Sequence, residues 1–494
     1  MLQEGCQLAA FFVFYQAFDC KIVRLSLTLA IVESLNSNRI IMKYKSTRGG
    51  VSDLSFTDAL LMGLASDGGL LVPQQIPDVS DQLDEWRDCT FVELAQHIIG
   101  LFVDDIETDT LNRLVAAAYA TFDHPDVVGW KELNNLTVVE LFHGPTLAFK
   151  DVALQLLGRL FQHVLALRNQ RLNILGATSG DTGGAAIAGV RGQENVDIFI
   201  LYPKGRVSPL QELQMTTVLD RNVHCIAVDG TFDDCQRLMK ETFADLAYKE
   251  KYQLGAVNSV NWARVLAQIV YYGYASLKAP SAAEFSVPTG NFGNVFAAYL
   301  AHRMGFPIAK LIVATNDNDI LARFFATGEY AVGDVHQTLS PAMDIQVASN
   351  FERFLYYYFD EDSERLKAFM ADFAKHGEAR LGSAPNTGLF QSIAINRQQT
   401  VAAMREAKER HNYVLDPHTA VGYVAAQQLS NSSTPVMCIA TAHPAKFPDA
   451  VVEATGTVPT HPSLDALVGL EQRKSALTAD LQAVKTFLAK AISA

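Results

Sequence analysis

The chain has 494 residues, 49% of them hydrophobic and 19% charged, with 31 glycines and 17 prolines. It is longer than one ordinary domain of roughly 100–200 residues, and its balance fills a sizeable core, which excludes whole-chain disorder and fibrous repeats. A formal charge of −13 speaks against general binding to nucleic acid or to an anionic membrane, while leaving room for a local basic pocket.

Residues 1–41 differ from everything that follows. Residues 8–15 form a short apolar and aromatic run, and residues 22–32 form a second, interrupted by Arg24. Neither reaches the roughly 18–20 apolar residues that a membrane-spanning helix needs. Glu4 is the only charge ahead of the first run, where a secretory signal carries positive charge. Lys21, Arg24 and Arg39 are matched by Glu4, Asp19 and Glu33, unlike the acid-poor balance of a transit peptide. The expectation is an N-terminal extension outside the fold, with an upstream start preceding Met42. Deleting residues 1–41, so that translation begins at Met42, is expected to leave turnover and melting temperature nearly unchanged. An insoluble or inactive truncated protein would mean that the extension packs on the core.

Further along, Leu94, Ile98, Leu101 and Val103 are spaced as on a helix face, and residues 42–125 are expected to form a more helical N-terminal unit. Beyond it, short β-rich runs lead through turns into helical patterns. Residues 173–178 run through a glycine turn into a helix beginning at 185–187, and residues 196–202 and 223–228 read as further buried strands. Residues 285–289 run through a second glycine turn into a helix over 295–304, and residues 311–315 and 435–441 complete the set. This alternation implies α/β layers around largely parallel sheets. The six cysteines, Cys6, Cys20, Cys89, Cys225, Cys235 and Cys438, contain no CxxC, which suits a reducing compartment. The twelve histidines include no HExxH or other paired-histidine metal signature, so no catalytic metal is expected.

Three segments carry chemistry. In residues 141–151, Lys150 follows an apolar stretch and opens a helical run over 152–167. Desolvation and the helix dipole both favour the neutral amine there, the form that a carbonyl-trapping lysine needs. The bland alternative is a lysine that snorkels to solvent. In residues 178–184, Thr178, Ser179, Asp181 and Thr182 put hydroxyls and a carboxylate in one turn, where Ser179 or Asp181 serves equally well as a helix cap. In residues 290–294, Gly290, Asn291, Phe292, Gly293 and Asn294 join an apolar strand to a helix. Such a loop turns backbone N–H groups inward at a helix N-terminus and cradles phosphate, although a tight turn without ligand fits the pattern as well. Its spacing is neither GxGxxG nor Walker A, so a nicotinamide site or an NTPase is weakly supported.

Together these segments resemble the fold type II pyridoxal-phosphate enzymes, and within them the threonine synthase family of the bacterial and fungal type. ELFHGPTLAFKD at 140–151 resembles the family's cofactor-lysine segment, ATSGDTG at 177–183 its substrate and ring loop, and PTGNFGN at 288–294 its cofactor-phosphate loop. LYPKGRVSPLQE (201–212), NSVNWAR (258–264), DPHTAVGY (416–423), TAHPAKF (441–447), SDGGLLVP (66–73) and the opening MKYKSTRGG at Met42 are similar to further family segments in the expected order. The resemblance runs from about residue 42 to near the C-terminus. It implies a tryptophan synthase β-like fold with a helical N-terminal unit (42–125) and a catalytic region (126–490). That region would hold two open α/β sheet domains, the smaller roughly 141–260 and the larger roughly 261–490.

The resemblance also implies roles. Lys150 would bind pyridoxal phosphate as a Schiff base and then act as general acid and base. Gly290, Asn291, Phe292, Gly293 and Asn294 would hold the cofactor phosphate, and Thr441 would face the pyridine nitrogen. Thr178, Ser179, Asp181, Thr182 and Arg264 would contact substrate, with Lys204, Arg206, Arg264 and Lys446 as candidates for its phosphate. The reaction implied is conversion of O-phospho-L-homoserine and water into L-threonine and phosphate by γ-elimination and β-addition. A related phospholyase or dehydratase giving 2-oxobutyrate shares these motifs. A non-catalytic binding protein of the same fold is a third reading, which the intact Lys150 and loops oppose. The expected setting is a cytoplasmic monomer or homodimer with a small-molecule substrate and no nucleic-acid or membrane partner.

Overall fold

The computed structural model describes residues 41–178, 180–257, 259–385, 387–431 and 433–493. The chain divides into two units, Met1–Met42 and Lys43–Ala494, and the elements below lie in the second. Nearly all of the expected N-terminal extension, residues 1–40, lies outside the described residues.

A six-stranded and a five-stranded sheet organise the chain beyond residue 125. Edge to edge, the larger runs Phe390–Ala394, Ile308–Thr315, Ala283–Pro288, Val436–Ala440, Leu136–Glu140 and Gly129–Leu133. Its strands pair in parallel except for the antiparallel edge hairpin Gly129–Leu133/Leu136–Glu140. The smaller runs Ser475–Thr478, Val223–Asp229, Val196–Pro203, Leu172–Ala177 and Leu254–Gly255, all parallel. Every residue of Ala283–Pro288 and of Val436–Ala440 is buried, as expected where helices cover both faces of a parallel sheet. Val138, Ile312, Val421 and Cys438 belong to the core of the larger sheet; Leu175, Phe199, Ile226, Leu238 and Val484 belong to that of the smaller. The larger sheet takes its hairpin from before residue 141, and the smaller takes Ser475–Thr478 from the C-terminal end, so segments distant in sequence share each sheet.

In a parallel sheet the strand ends that face one edge are all carboxyl ends, and ligand sites gather there. The turns after Leu172–Ala177, Ala283–Pro288 and Val436–Ala440 are the ones that carry Thr178, Gly290 and Thr441.

The helix Phe91–Phe102 begins with a capping box in which Thr90 and Glu93 satisfy each other's backbone N–H. It buries Phe91, Leu94, Ile98 and Phe102; Leu101 is only half-buried and Val103 falls just past the helix end. That face packs on the helix Trp262–Lys278 through Phe91 against Tyr274 and Phe102 against Trp262, ring centroids 5.5 and 5.9 Å apart. The helical N-terminal segment thus buttresses the helix that carries Arg264. No helix among the described residues is long and apolar enough to cross a membrane.

Candidate active site

Lys150 is the first residue of the helix Lys150–Arg168. The preceding turn is stitched to the end of Val436–Ala440: Leu141 N–H donates to the Ala440 carbonyl (3.0 Å), Phe149 N–H to that of Thr441 (2.8 Å), and His443 N–H to that of Leu147 (3.0 Å). Within the turn, the Asp151 carboxylate accepts from the Thr146 N–H (2.8 Å) and hydroxyl (2.7 Å). Asp151 is fully buried, which raises its carboxyl to about 6. These bonds fix where the Lys150 side chain starts.

The partner of Lys150 comes from the smaller sheet. Asp181 opens the helix Asp181–Val190, which packs against Lys150–Arg168 where Gly158 meets Gly189. A Cβ on Gly158 would stand 1.9 Å from the Gly189 carbonyl oxygen, so the backbones touch only because both residues lack one. Lys150 precedes Gly158, and Asp181 precedes Gly189, by the same eight positions, so the two helix starts arrive side by side. The Lys150 Nζ lies 3.6 Å from Asp181 Oδ2, and Lys446 Nζ lies 3.2 Å from Asp181 Oδ1. Gln211 Nε2 also donates to Asp181 Oδ1 (2.9 Å).

Lys446 is 1% exposed and donates to the Thr146 carbonyl (2.6 Å) and Gln214 Oε1 (2.8 Å). With Asp181 these use the three protons of an ammonium. Burial pushes the Lys150 amine below its ordinary pKa, with Lys446 and Arg264 adding to that and Asp181 opposing it. Burial alone would raise the Asp181 carboxyl; Lys446 and Lys150 outweigh it and hold the group below the usual carboxylate range.

The 290–294 loop follows the strand Ala283–Pro288. Gly290 lies against the Pro341–Met343 turn, where a Cβ would come within 2.6 Å of the Ala342 carbonyl oxygen. Phe292 caps the helix Gly293–Arg303 in the left-handed region (φ 64°), and its buried ring packs on Phe325, Phe351, Phe354 and Phe390. The ring anchors the strained turn in the core. Asn350 holds the loop from behind, its N–H and Nδ2 donating to the Asn291 carbonyl (3.0 and 3.2 Å). The N–H groups of Gly290, Asn291, Phe292, Gly293 and Asn294 find no acceptor among the described residues.

Arg264, in the first turn of Trp262–Lys278, is 5% exposed, and neither its Nε nor its Nη1 has a hydrogen-bond partner among the described residues. Burial pushes its guanidinium down to about 10. Buried guanidinium donors without partners are costly and rare, so this one points to an anion that completes it. Thr441 is buried, and its N–H donates to Thr419 Oγ1 (3.3 Å); that hydroxyl donates in turn to Asp416.

Lys150, Asp181, Arg264 and Thr441 therefore lie close together at the strand ends. Thr178 is buried beside them, its hydroxyl accepting from Gly180 and Gly183 N–H (both 3.0 Å), so it shapes the turn. Thr182 is half-buried in the first turn of its helix, and Ser179 lies outside the described residues. Lys204 and Arg206 are exposed. Gln211 and Gln214 were not singled out in the sequence, although they share one face of the helix Pro209–Thr216 at a spacing of three.

Residues 43–119 match the family model described as threonine synthase N terminus, residues 131–441 that of pyridoxal-phosphate dependent enzymes, and residues 419–488 that of the threonine synthase C-terminal region. A threonine synthase of Pseudomonas aeruginosa is 46% identical, with 91% of this chain and 98% of that protein covered. One of Schizosaccharomyces pombe is 45% identical, covering 83% and 88%. The chain belongs to the threonine synthase family. The crystal structure of pyridoxal-phosphate-bound threonine synthase from Brucella melitensis superposes with a TM-score of 0.89 at 45% identity, covering 92% of this chain and all of that one.

Fold type II and use of pyridoxal phosphate follow for a threonine synthase of this kind, and the residues present fit the cofactor. A lysine of lowered pKa, its side chain 11% exposed, is available for its aldehyde. Five N–H groups at a helix N-terminus, unclaimed among the described residues, suit its phosphate, and the close seat of Gly290 on Ala342 leaves no side chain in that cradle. Among the described residues no group of His, Cys, Asp and Glu could hold a metal ion.

Proposed function

We propose that the site around Lys150 converts O-phospho-L-homoserine and water into L-threonine and phosphate, with Lys150 moving the protons and Arg264 holding the phosphate that leaves. Pyridoxal phosphate, carried on Lys150 and held through residues 290–294, supplies the electron sink that makes the substrate's Cα and Cβ protons acidic. Thr441 offers the ring nitrogen a neutral hydroxyl, so more of the carbanion stabilisation falls to other groups of the site.

The free Lys150 amine would take the Cα proton, release it, and then take a Cβ proton as phosphate departs from Cγ. Protonation at Cγ, addition of water at Cβ and return of a proton to Cα complete threonine. An amine that must accept protons repeatedly near neutral pH needs its pKa brought down, and burial beside Lys446 and Arg264 does so. Asp181 keeps the charged form from being lost altogether. Asp181 and Thr182, on the turn that Thr178 shapes, would face the substrate's amino-acid end.

The observation that carries this reading is the Arg264 guanidinium, buried with two nitrogens that have no hydrogen-bond partner among the described residues and close enough to bear on Lys150. Desolvated, matched cations bind a dianion far more strongly than exposed pairs do, which favours Arg264 over Lys204 and Arg206. Homoserine, which lacks the phosphate, should fail in both binding and leaving-group chemistry. Comparing O-phospho-L-homoserine with homoserine by threonine release tests this; equal turnover of the two would overturn it.

Asp181→Asn gives a second test. Lys150 traps an aldehyde only as the neutral amine, and Asp181 stabilises its ammonium. Removing that charge lowers the Lys150 pKa further. Capture of pyridoxal phosphate by the cofactor-free protein should then reach half its maximal rate at a lower pH than in the parent. Stopped-flow absorbance across pH checks the shift, and an upward shift would contradict the pairing. A cytoplasmic location is in keeping with Cys89, Cys225, Cys235 and Cys438, all free thiols.

A further inference from the structure

Asn294, the second residue of Gly293–Arg303, is 7% exposed, and its side chain is held from one side only. The phenols of Tyr271 and Tyr272, both 0% exposed, each donate to its Oδ1, Tyr272 at 2.7 Å. Its Nδ2 is buried and has no hydrogen-bond partner among the described residues. The two phenols determine which end of the amide is which. Tyr271 has a second acceptor within reach, Gln268 Oε1 at 3.2 Å, whereas among the described residues the Tyr272 hydroxyl bonds to Asn294 Oδ1 alone. A buried hydroxyl proton without an acceptor is costly, so Tyr272 requires an oxygen at that position and the amide cannot turn over. The NH2 is thereby held away from the phenols as an unmet donor. It belongs to the residue whose own N–H is among the five unclaimed donors of the 290–294 loop.

We propose that Tyr271 and Tyr272 are positioning residues that hold the Asn294 amide with its Nδ2 as a further donor to the cofactor phosphate. The inference rests on the reading of residues 290–294 as the phosphate loop and adds a side-chain donor and its supports. Both tyrosines lie on the helix that carries Arg264, and Gln268 Nε2 donates to the Arg264 carbonyl (2.7 Å). One buried helix face therefore supports the cofactor-phosphate loop and presents the arginine for the substrate phosphate.

The test titrates cofactor-free protein with pyridoxal phosphate and, separately, with pyridoxal, which lacks the phosphate. Tyr272→Phe and the double variant Tyr271→Phe/Tyr272→Phe free the amide to rotate. They should raise the Kd for pyridoxal phosphate, by about tenfold in the double variant, with that for pyridoxal unchanged. Asn294→Asp keeps an acceptor for the phenols but replaces the donor with an anion, and should cost more under the same two titrations. Gly290→Ala serves as the control on the loop, since it displaces the loop from Ala342. If Gly290→Ala weakens pyridoxal phosphate selectively and the tyrosine and Asn294 variants do not, the proposal is wrong and the loop reading stands. If Gly290→Ala leaves the ratio of the two affinities unchanged, the loop reading itself fails and the proposal with it. Tyrosine variants that weaken both ligands equally, or that only lower the melting temperature, would mark a structural role and overturn the proposal.

Discussion

Lys150→Ala should abolish turnover, by more than roughly a thousandfold, while the protein remains folded, because the lysine's role is covalent and proton-transferring. The geometry explains why the fold should survive. Removing the Lys150 ammonium leaves Asp181 its bonds to Lys446 and Gln211, so no buried charge is stranded. The turn ahead of Lys150 is held by Asp151 on Thr146 and by the strand end at Thr441, neither of which uses the lysine side chain. Circular dichroism and melting temperature check the fold, and threonine release checks the activity. Borohydride reduction that still fixed cofactor to the variant at full occupancy would show that another lysine is the anchor.

Arg264→Gln should raise KM and lower kcat together, for a combined loss of roughly a hundredfold in kcat/KM, if its contact tightens as phosphate departs. Loss of a buried charge-assisted pair to a dianion is worth about 2–3 kcal/mol, the size of that change. Glutamine keeps much of the side chain's volume, so packing beside Trp262–Lys278 should change little. Cofactor loading should persist, since residues 290–294 hold the other phosphate. A variant that instead lost the cofactor, or kept its kinetics, would move the assignment to Lys204 or Arg206. Lys446 is a poor replacement because Thr146, Gln214 and Asp181 already take its three protons.

The parallel sheets were legible because their central strands are buried on both faces and read as short apolar runs. The strands Leu172–Ala177, Val196–Pro203, Val223–Asp229 and Val436–Ala440 differ from the expected runs only at their ends. Edge elements were not legible. Gly129–Leu133 has exposed central residues, and Ser475–Thr478 alternates half-buried and exposed, so neither shows a run that stands out from loop. Nor could periodicity show that Ser475–Thr478 returns to pair with Val223–Asp229, since that pairing joins residues about 250 apart.

At the site, residue types alone left Lys150 and the glycine loop open between a functional and an ordinary reading, and the resemblance of their segments to the threonine synthase family chose between the two. What sequence spacing could not supply was the role of each cation. Lys204, Arg206, Arg264 and Lys446 are equivalent as letters. Burial and hydrogen bonding separate them into two exposed residues, one with unmet donors and one with every proton placed. Gln211 and the Tyr271–Tyr272 pair carry no charge and match no motif, and their parts emerge only from contacts made across the fold.

The central claim, that this site makes threonine, is tested most directly by identifying the products from O-phospho-L-homoserine. Purified protein loaded with pyridoxal phosphate is incubated with that substrate, and amino acids, keto acids and phosphate are quantified together. Threonine and phosphate released in equal amounts is the result predicted. Phosphate accompanied by 2-oxobutyrate instead of threonine would contradict the account and make the protein a phospholyase on the same scaffold.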